Sequence, residues 1–373
     1  IGARKEGHSG PFVSGAALMN QKTDYTSRLI AYARELAGLD PEEILKKLGI
    51  KHYKKPILKM PNNELIKEFG KSAKNINKSL FIKNVIWQTY EYIKVGEKPF
   101  DIGNLRSFWY YIKDTMDRVG ANKKGDAYNI ISNMFVLMVK SGLFKYRDFG
   151  FDDDDKGNRW IGGKNAHVML FAEKTSYTDL LQEVNRNFDI TTIAVGGQSS
   201  YLSVEYFVKE LSDASIDLTK EFIIFSIVDF DPAGDIIATN FTDNLDDNGI
   251  KSIRTFAGQF YKHFKRNDLV IPANMDPDQR KRIYRLPLSV RKSGQAAKWA
   301  ARTGGVNGKK SIEHGIETIV MSKAQILELF EAELAKVVTI DLEAIAKYRE
   351  MKRLKNQMQA WAVKKLQLEK VSK

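Results

Sequence analysis

The sequence predicts a multidomain α/β protein with a helical first half, an α/β unit on a parallel sheet and a helical C-terminal extension. Between residues 167 and 257, apolar runs alternate with helical stretches: HVMLFAE, TSYTDLLQEVNRNF, ITTIAVGG, SSYLSVEYFVKELSD, EFIIFSIVDFD, PAGDIIATNFTDNLDDNG and IKSIRTFA. Strands regularly separated by helices form parallel sheets with helices on both faces. Upstream of this stretch the apolar residues mostly follow the helical period, and 373 residues is enough for about two or three domains.

Taken in order, residues 1–18 are small, polar and glycine-rich and read as a flexible leader or tag remnant before Met19. Residues 19–75 form a helical region and linker. TSRLIAYARELAGL has helical spacing, and Asp40-Pro41 opens a second helix with proline in its first turn. IKHYKKPILKM, residues 50–60, is basic and proline-broken and reads as a linker or arm.

Residues 76–163 carry three helical patterns, near 79–94, 103–118 and 124–141. FKYRDFGF and NRWIGG follow, flanking the acidic turn DDDDKG, and read as a β-hairpin whose acidic turn is solvated. Three helices and a hairpin resemble a winged-helix (CAP-like) domain, a fold that lays a helix in the DNA major groove. Residues 164–340 make the α/β unit and its extension, in which the Arg-, Lys- and Gly-rich stretch 279–311 reads as a nucleic-acid-facing segment. Residues 341–373 form a basic amphipathic helix with Met351, Leu354, Met358 and Trp361 on one face, a stripe that reads as a docking surface.

The net charge of +13 favours a polyanionic partner. The absence of cysteine excludes disulfides, zinc–thiolate sites and thiol nucleophiles. No run of about 18 apolar residues is present to span a bilayer, so no membrane partner is expected.

Against this basic background, three carboxylates stand at predicted strand ends. Glu173 closes the first strand of the α/β unit; Asp229 and Asp231 close the third. Ligands of open α/β sheets bind outside the carboxyl ends of the strands. If the third strand runs on undistorted, positions i and i+2 put Asp229 and Asp231 on one side. Grouped carboxylates repel, and a hard divalent cation removes the penalty. Mg2+ is therefore the expected cofactor, suited to stabilising charge on a phosphodiester. A lone Asp before Pro-Ala-Gly would read as a helix cap; D-x-D-P-x-G with Glu173 upstream favours a metal.

The segments FAEK (171–174), AVGGQ (194–198) and VDFDPAGD (228–235) resemble a Toprim domain. That resemblance implies Glu173, Asp229 and Asp231 as Mg2+ ligands and Gly196 and Gly197 as the loop after the second strand. With a winged-helix pattern upstream, and with NLRSFWYYIKD (104–114) in its second helix, the chain resembles the topoisomerase VI A subunit and its meiotic double-strand-break relatives. In that family a winged-helix tyrosine attacks DNA and becomes joined to a 5′ phosphate. Counting from Arg106, Tyr110 is the first candidate nucleophile and Tyr111 the second. Arg106 lies one helical turn before Tyr110 and can share its face; without this context, so aromatic a segment would read as core.

The resemblance implies a type IIB topoisomerase A-subunit-like enzyme or related DNA-cleaving transesterase. It would act on double-stranded DNA as a homodimer with a separate GHKL-type ATPase B subunit, since this chain has no G-x-x-x-x-G-K-[ST] loop. The expected location is cytoplasmic and nucleoid-associated, or nuclear in a eukaryote. Two alternatives stay open: a Toprim nuclease that hydrolyses DNA with metal and no tyrosine, and a non-catalytic DNA-binding scaffold.

Overall fold

The computed structural model describes residue 25 and residues 28–371 apart from 73–74, 98–102, 123–126, 154, 197–199, 255–282, 307–309, 319–321 and 339–341. The leader at 1–18 and Gly197 lie outside the described residues.

The first half is helical. After a helical stretch at 28–36 come α1 (Pro41–Leu48), α2 (Asn62–Phe69), α3 (Lys78–Lys94), α4 (Leu105–Arg118) and α5 (Ala127–Lys140). Asp40 caps α1, its side chain accepting from the Glu42 amide, and proline occupies the first turn. One core runs from Leu29 through Phe81, Phe108 and Phe135 to Phe151, so the region before residue 76 and the three helices after it bury their apolar faces together. The 50–60 stretch is not a free arm. Ile57 is fully buried, its amide donates to Gln88 at 2.8 Å, and the Gln88 amide group donates to the carbonyls of Tyr53 and Lys55.

The expected wing hairpin does not form. Tyr146–Phe149 is a short 3-10 helix that buries Tyr146 and Phe149. Its intended partner, β1 (Arg159–Trp160), instead pairs antiparallel with a strand of the α/β unit. The acidic turn is not simply solvated either: Asp153 is buried against the Arg159 guanidinium. Turn residues and β-prone runs mark a strand, but tertiary pairing chooses its neighbour.

The α/β unit continues with β2 (Asn165–Ala172), α6 (Thr178–Phe188), β3 (Ile190–Ala194), α7 (Tyr201–Asp213), β4 (Phe222–Ile227), α8 (Pro232–Asp247) and β5 (Ser252–Arg254). The sheet order is β1-β3-β2-β4-β5, parallel except for β1. It is thus a mixed sheet, with β3, β2 and β4 central and mostly buried. Val168, Leu170 and Ala172 face α6 and later helices, whereas Met169 and Phe171 face α7 and α8. The segment 283–311 is structured where described: β6 (Ile283–Arg285), then α9 (Gly294–Thr303), which buries Trp299. β7 (His314–Ile316) pairs with β6, and α10 (Lys323–Leu334) and α11 (Leu342–Val371) close the chain.

Charged groups join the two halves. Asp247 at the end of α8 pairs with Lys140 of α5, whose side chain is 4% exposed, and accepts from Arg34 Nε at 2.9 Å. Glu205 of α7 accepts the amides of Tyr146 and Arg147 at 2.9 and 3.2 Å. Removing one partner of a buried pair leaves an uncompensated charge. Asp247→Ala is therefore expected to lower unfolding free energy by about 3 kcal/mol, against less than about 1 kcal/mol for Arg34→Met at the exposed end. Urea unfolding measures both, and equal small losses would refute the anchoring role of Lys140–Asp247.

Candidate functional site

Register brings the carboxyl ends of β2 and β4 level. Ala172 pairs with Ile227, and the Glu173 amide continues the ladder by donating to the Ile227 carbonyl at 3.0 Å. Glu173 then accepts the amide of Asp229 on its Oε2 at 3.1 Å. β4 stops at Ile227, short of the acidic pair. Phe230 forms an isolated antiparallel bridge to Ile316, and the Asp231 amide turns back to the Asp229 carbonyl at 3.0 Å. The strand therefore does not run on undistorted, and the i, i+2 alternation that would align Asp229 with Asp231 is replaced by a turn.

That turn gives Asp231 two tasks. Its Oδ1 caps α8, accepting from the Gly234 amide at 2.6 Å, with Pro232 in the first turn. Its Oδ2 accepts a short hydrogen bond from the Tyr284 hydroxyl of β6. Asp229 accepts from the Thr318 amide at 2.8 Å and its hydroxyl at 3.0 Å, and pairs with Lys174 Nζ at 2.8 Å. Close approach of backbone at one position and of the Asp231 and Tyr284 side chains at another leaves room only for glycine. A Cβ on Gly234 would stand 2.2 Å from the Asp229 carbonyl oxygen, and one on Gly315 would stand 2.8 Å from the Asp231 Cβ.

The electrostatics are those of crowded acids. Burial pushes the Glu173 carboxyl above the usual range, and the charges of Asp229 and Asp231 add to the rise against the Asp229 amide, which favours the anion. Burial works against the Lys174 ammonium, yet Asp229, Glu173 and Glu317 hold its pKa above the usual lysine value. Burial and the Asp231 carboxylate push the Tyr284 phenol up.

Among the described residues no group of three or more acidic or histidine side chains is placed so that it could hold a metal ion. Carboxylates from two adjacent strand ends lie close and repel one another, with Glu317 close enough to act on Lys174 and Tyr284; oxygen donors of this kind are those a hard divalent cation takes. Lys174 supplies the positive charge facing Asp229, and the Tyr284 hydroxyl engages Asp231.

Lys174, Tyr284, Glu317 and Thr318 were not singled out from sequence. Lys174 had a signal, being the residue after Glu173 and within FAEK. Tyr284 and Thr318 are far away in sequence and arrive only through the β6–β7 pair. Gly196 adopts a left-handed φ of 61°, consistent with a turn after β3.

The tyrosines lie on α4. Asn104 caps this helix in a reciprocal capping box with Ser107. Phe108 and Ile112 are buried on one face, and Tyr111 packs edge-on against Phe108 at 6.2 Å. Burial raises the Tyr111 phenol pKa. One residue earlier, and about 100° around the helix, Tyr110 is 58% exposed, with Arg106 within hydrogen-bonding reach. The structure brings Arg106 and Tyr110 together and turns Tyr111 toward the core; it places this pair and the carboxylates on different units.

No family model matches the chain, and no curated protein matches it.

Glu173 gives a test independent of activity. Because its folded pKa is raised, its contribution to stability is fully present below the ordinary value of 4.5 and is lost as pH rises through the folded value. In chelator-containing buffer, Glu173→Gln should melt above the wild type at about pH 8 and level with it near pH 4. An identical offset at both pH values would remove the repulsion assigned to this carboxylate.

Proposed function

We propose that this chain is a DNA-cleaving transesterase of the topoisomerase VI A type, with Tyr110 as nucleophile and Glu173, Asp229 and Asp231 as the Mg2+ site. The observation that carries the reading is the contact of Glu173 with the Asp229 amide beyond β2 and β4, with Asp231 two residues further on, in a chain of net charge +13. A +13 field draws in a polyanion, and an acidic group within that field is where a phosphate and a divalent cation can meet. The chemistry such an ion supplies is stabilisation of negative charge on phosphate oxygens.

The protein's own groups divide the remaining work. Tyr110 offers an exposed hydroxyl on a capped helix, and Arg106 lies at its oxygen. An arginine there orients the phenol and attracts the backbone phosphate. In the proposed step, Tyr110 Oη attacks phosphorus and the P–O3′ bond breaks. The phenolic proton passes to solvent, and the departing 3′ oxygen takes one up. The product is a 5′-phosphotyrosyl linkage with no change in oxidation state and one phosphodiester exchanged for another, so reversal reseals the strand. Tyr111, packed on Phe108, supports α4.

The Lys140–Asp247 anchor sits at the far end of the 16-residue α8 from Asp231, about 24 Å along the helix. In the proposed assembly the tyrosine of one copy meets the carboxylates of another, each pair cutting one strand. Strand passage would then need a separate GHKL-type ATPase subunit.

The reading is tested on supercoiled plasmid with Mg2+, comparing wild type with Tyr110→Phe, Tyr111→Phe and Asp229→Ala after SDS and protease treatment. We expect 5′-blocked ends from the wild type and from Tyr111→Phe, and none from Tyr110→Phe or Asp229→Ala. Unblocked ends that survive both tyrosine substitutions and vanish with Asp229→Ala would replace transesterification by metal-dependent hydrolysis. Salt-sensitive binding without any cleavage would leave a scaffold.

A further inference from the structure

Helix α11 runs for 30 residues, Leu342–Val371, about 45 Å of continuous helix. Met351, Leu354, Met358 and Trp361 are 63, 47, 72 and 64% exposed along it. Most other large apolar side chains of the described residues are at least partly buried.

The spacing of these four is three, four, three. In heptad notation they fall at a, d, a and d. A helix that packs on its own domain usually carries a wider stripe, with e or g apolar as well. Here the flanking g and e positions are Glu350, Lys355, Gln357, Ala362 and Lys364, so the seam is narrow. The apolar run covers a, d, a and d of fewer than two heptads, a narrow seam of the kind that a second helix covers by packing its own a and d side chains against it. A nucleic acid could engage the basic flanks but would leave the apolar seam uncovered.

Charge selects a second copy in parallel orientation. In a parallel, in-register pair each g residue faces the e residue five positions on in the other strand. Glu350 then meets Lys355 of the second copy, twice by symmetry. Glu350 already orders Arg353 on its own helix at 2.6 Å, which leaves Arg353 at an outer c position. Lys347 at d and Lys365 at a bound the apolar section, and Lys365 lies over the Trp361 ring at 5.2 Å. A lysine at a core position is tolerated best in a two-stranded coil, where its stem lies along the seam and its ammonium reaches water.

We propose that α11 pairs with α11 of a second copy as a parallel two-stranded coiled coil with Met351, Leu354, Met358 and Trp361 as its core. The proposal stands whether or not the chain cleaves DNA.

Because the chain has no cysteine, a thiol introduced at one position is unique. The full chain is examined by sedimentation across a concentration series, and Leu354→Cys and Arg353→Cys proteins are oxidised mildly. We expect a concentration-dependent dimer and rapid disulfide-linked dimer from Leu354→Cys, with little from Arg353→Cys. Leu354→Lys combined with Met358→Lys should raise the dimer dissociation constant at least about tenfold, equivalent to 1.4 kcal/mol, with the circular dichroism of the remaining chain retained. Glu350→Lys should weaken the dimer, and adding Lys355→Glu should restore it. A monomer at every concentration, equal cross-linking at the two positions, or a dimer indifferent to the double lysine variant would overturn the proposal. So would loss of DNA binding in that variant with no change in oligomeric state.

Discussion

Carboxylates crowded at the end of a sheet repel one another, and the surrounding chain is shaped by that repulsion. Lys174 lies against Asp229, the Thr318 amide and hydroxyl donate to it, and Tyr284 donates to Asp231. These partners come from three separate stretches, so the site is held by tertiary structure. The β6–β7 pair exists within this arrangement: Ile316 bridges to Phe230 between the two aspartates, and Gly315 gives the room that a side chain would occupy. A polar cluster whose members are mostly satisfied stiffens its surroundings.

The same reliance on buried charge recurs where the halves meet. Glu205 receives two amides from the turn after α5, Arg159 is enclosed by Asp153 and Glu210, and Asp247 takes Lys140 and Arg34. Apolar contacts would tolerate sliding, whereas these groups accept few arrangements. The orientation of the helical half on the sheet, and so the direction in which Tyr110 faces, depends on them.

Much of the element order was legible in the chain. Apolar runs set between helical stretches locate β2 to β5, and Asp-Pro marks the starts of α1 and α8 because the carboxylate caps and the ring presets φ. The grouping of Glu173 with Asp229 was legible from strand ends. Other features had no local signal. Trp160 lies in a β-prone run, but nothing near it tells that its partner is Thr192. The turn at Asp231 depends on Ile316, whose contact with Phe230 closes a long loop. Whether Tyr110 or Tyr111 faces water is set by Phe108 anchoring α4 against Phe135, a contact across the core. Gln88, which stitches down the 50–60 stretch, is an ordinary polar residue until its three partners arrive.

The small strand β1 has a consequence for assembly. An open parallel sheet ends in unpaired amides and carbonyls that invite other chains. Here β3 is covered by two residues that directly follow the helical half, and Arg159 anchors them from the other side through Asp153 and Glu210. During synthesis this cover emerges before any other strand of the sheet it protects. The growing sheet therefore meets its own stopper first, and the helical half acts as an internal guard against misassociation while the remaining strands are still being made.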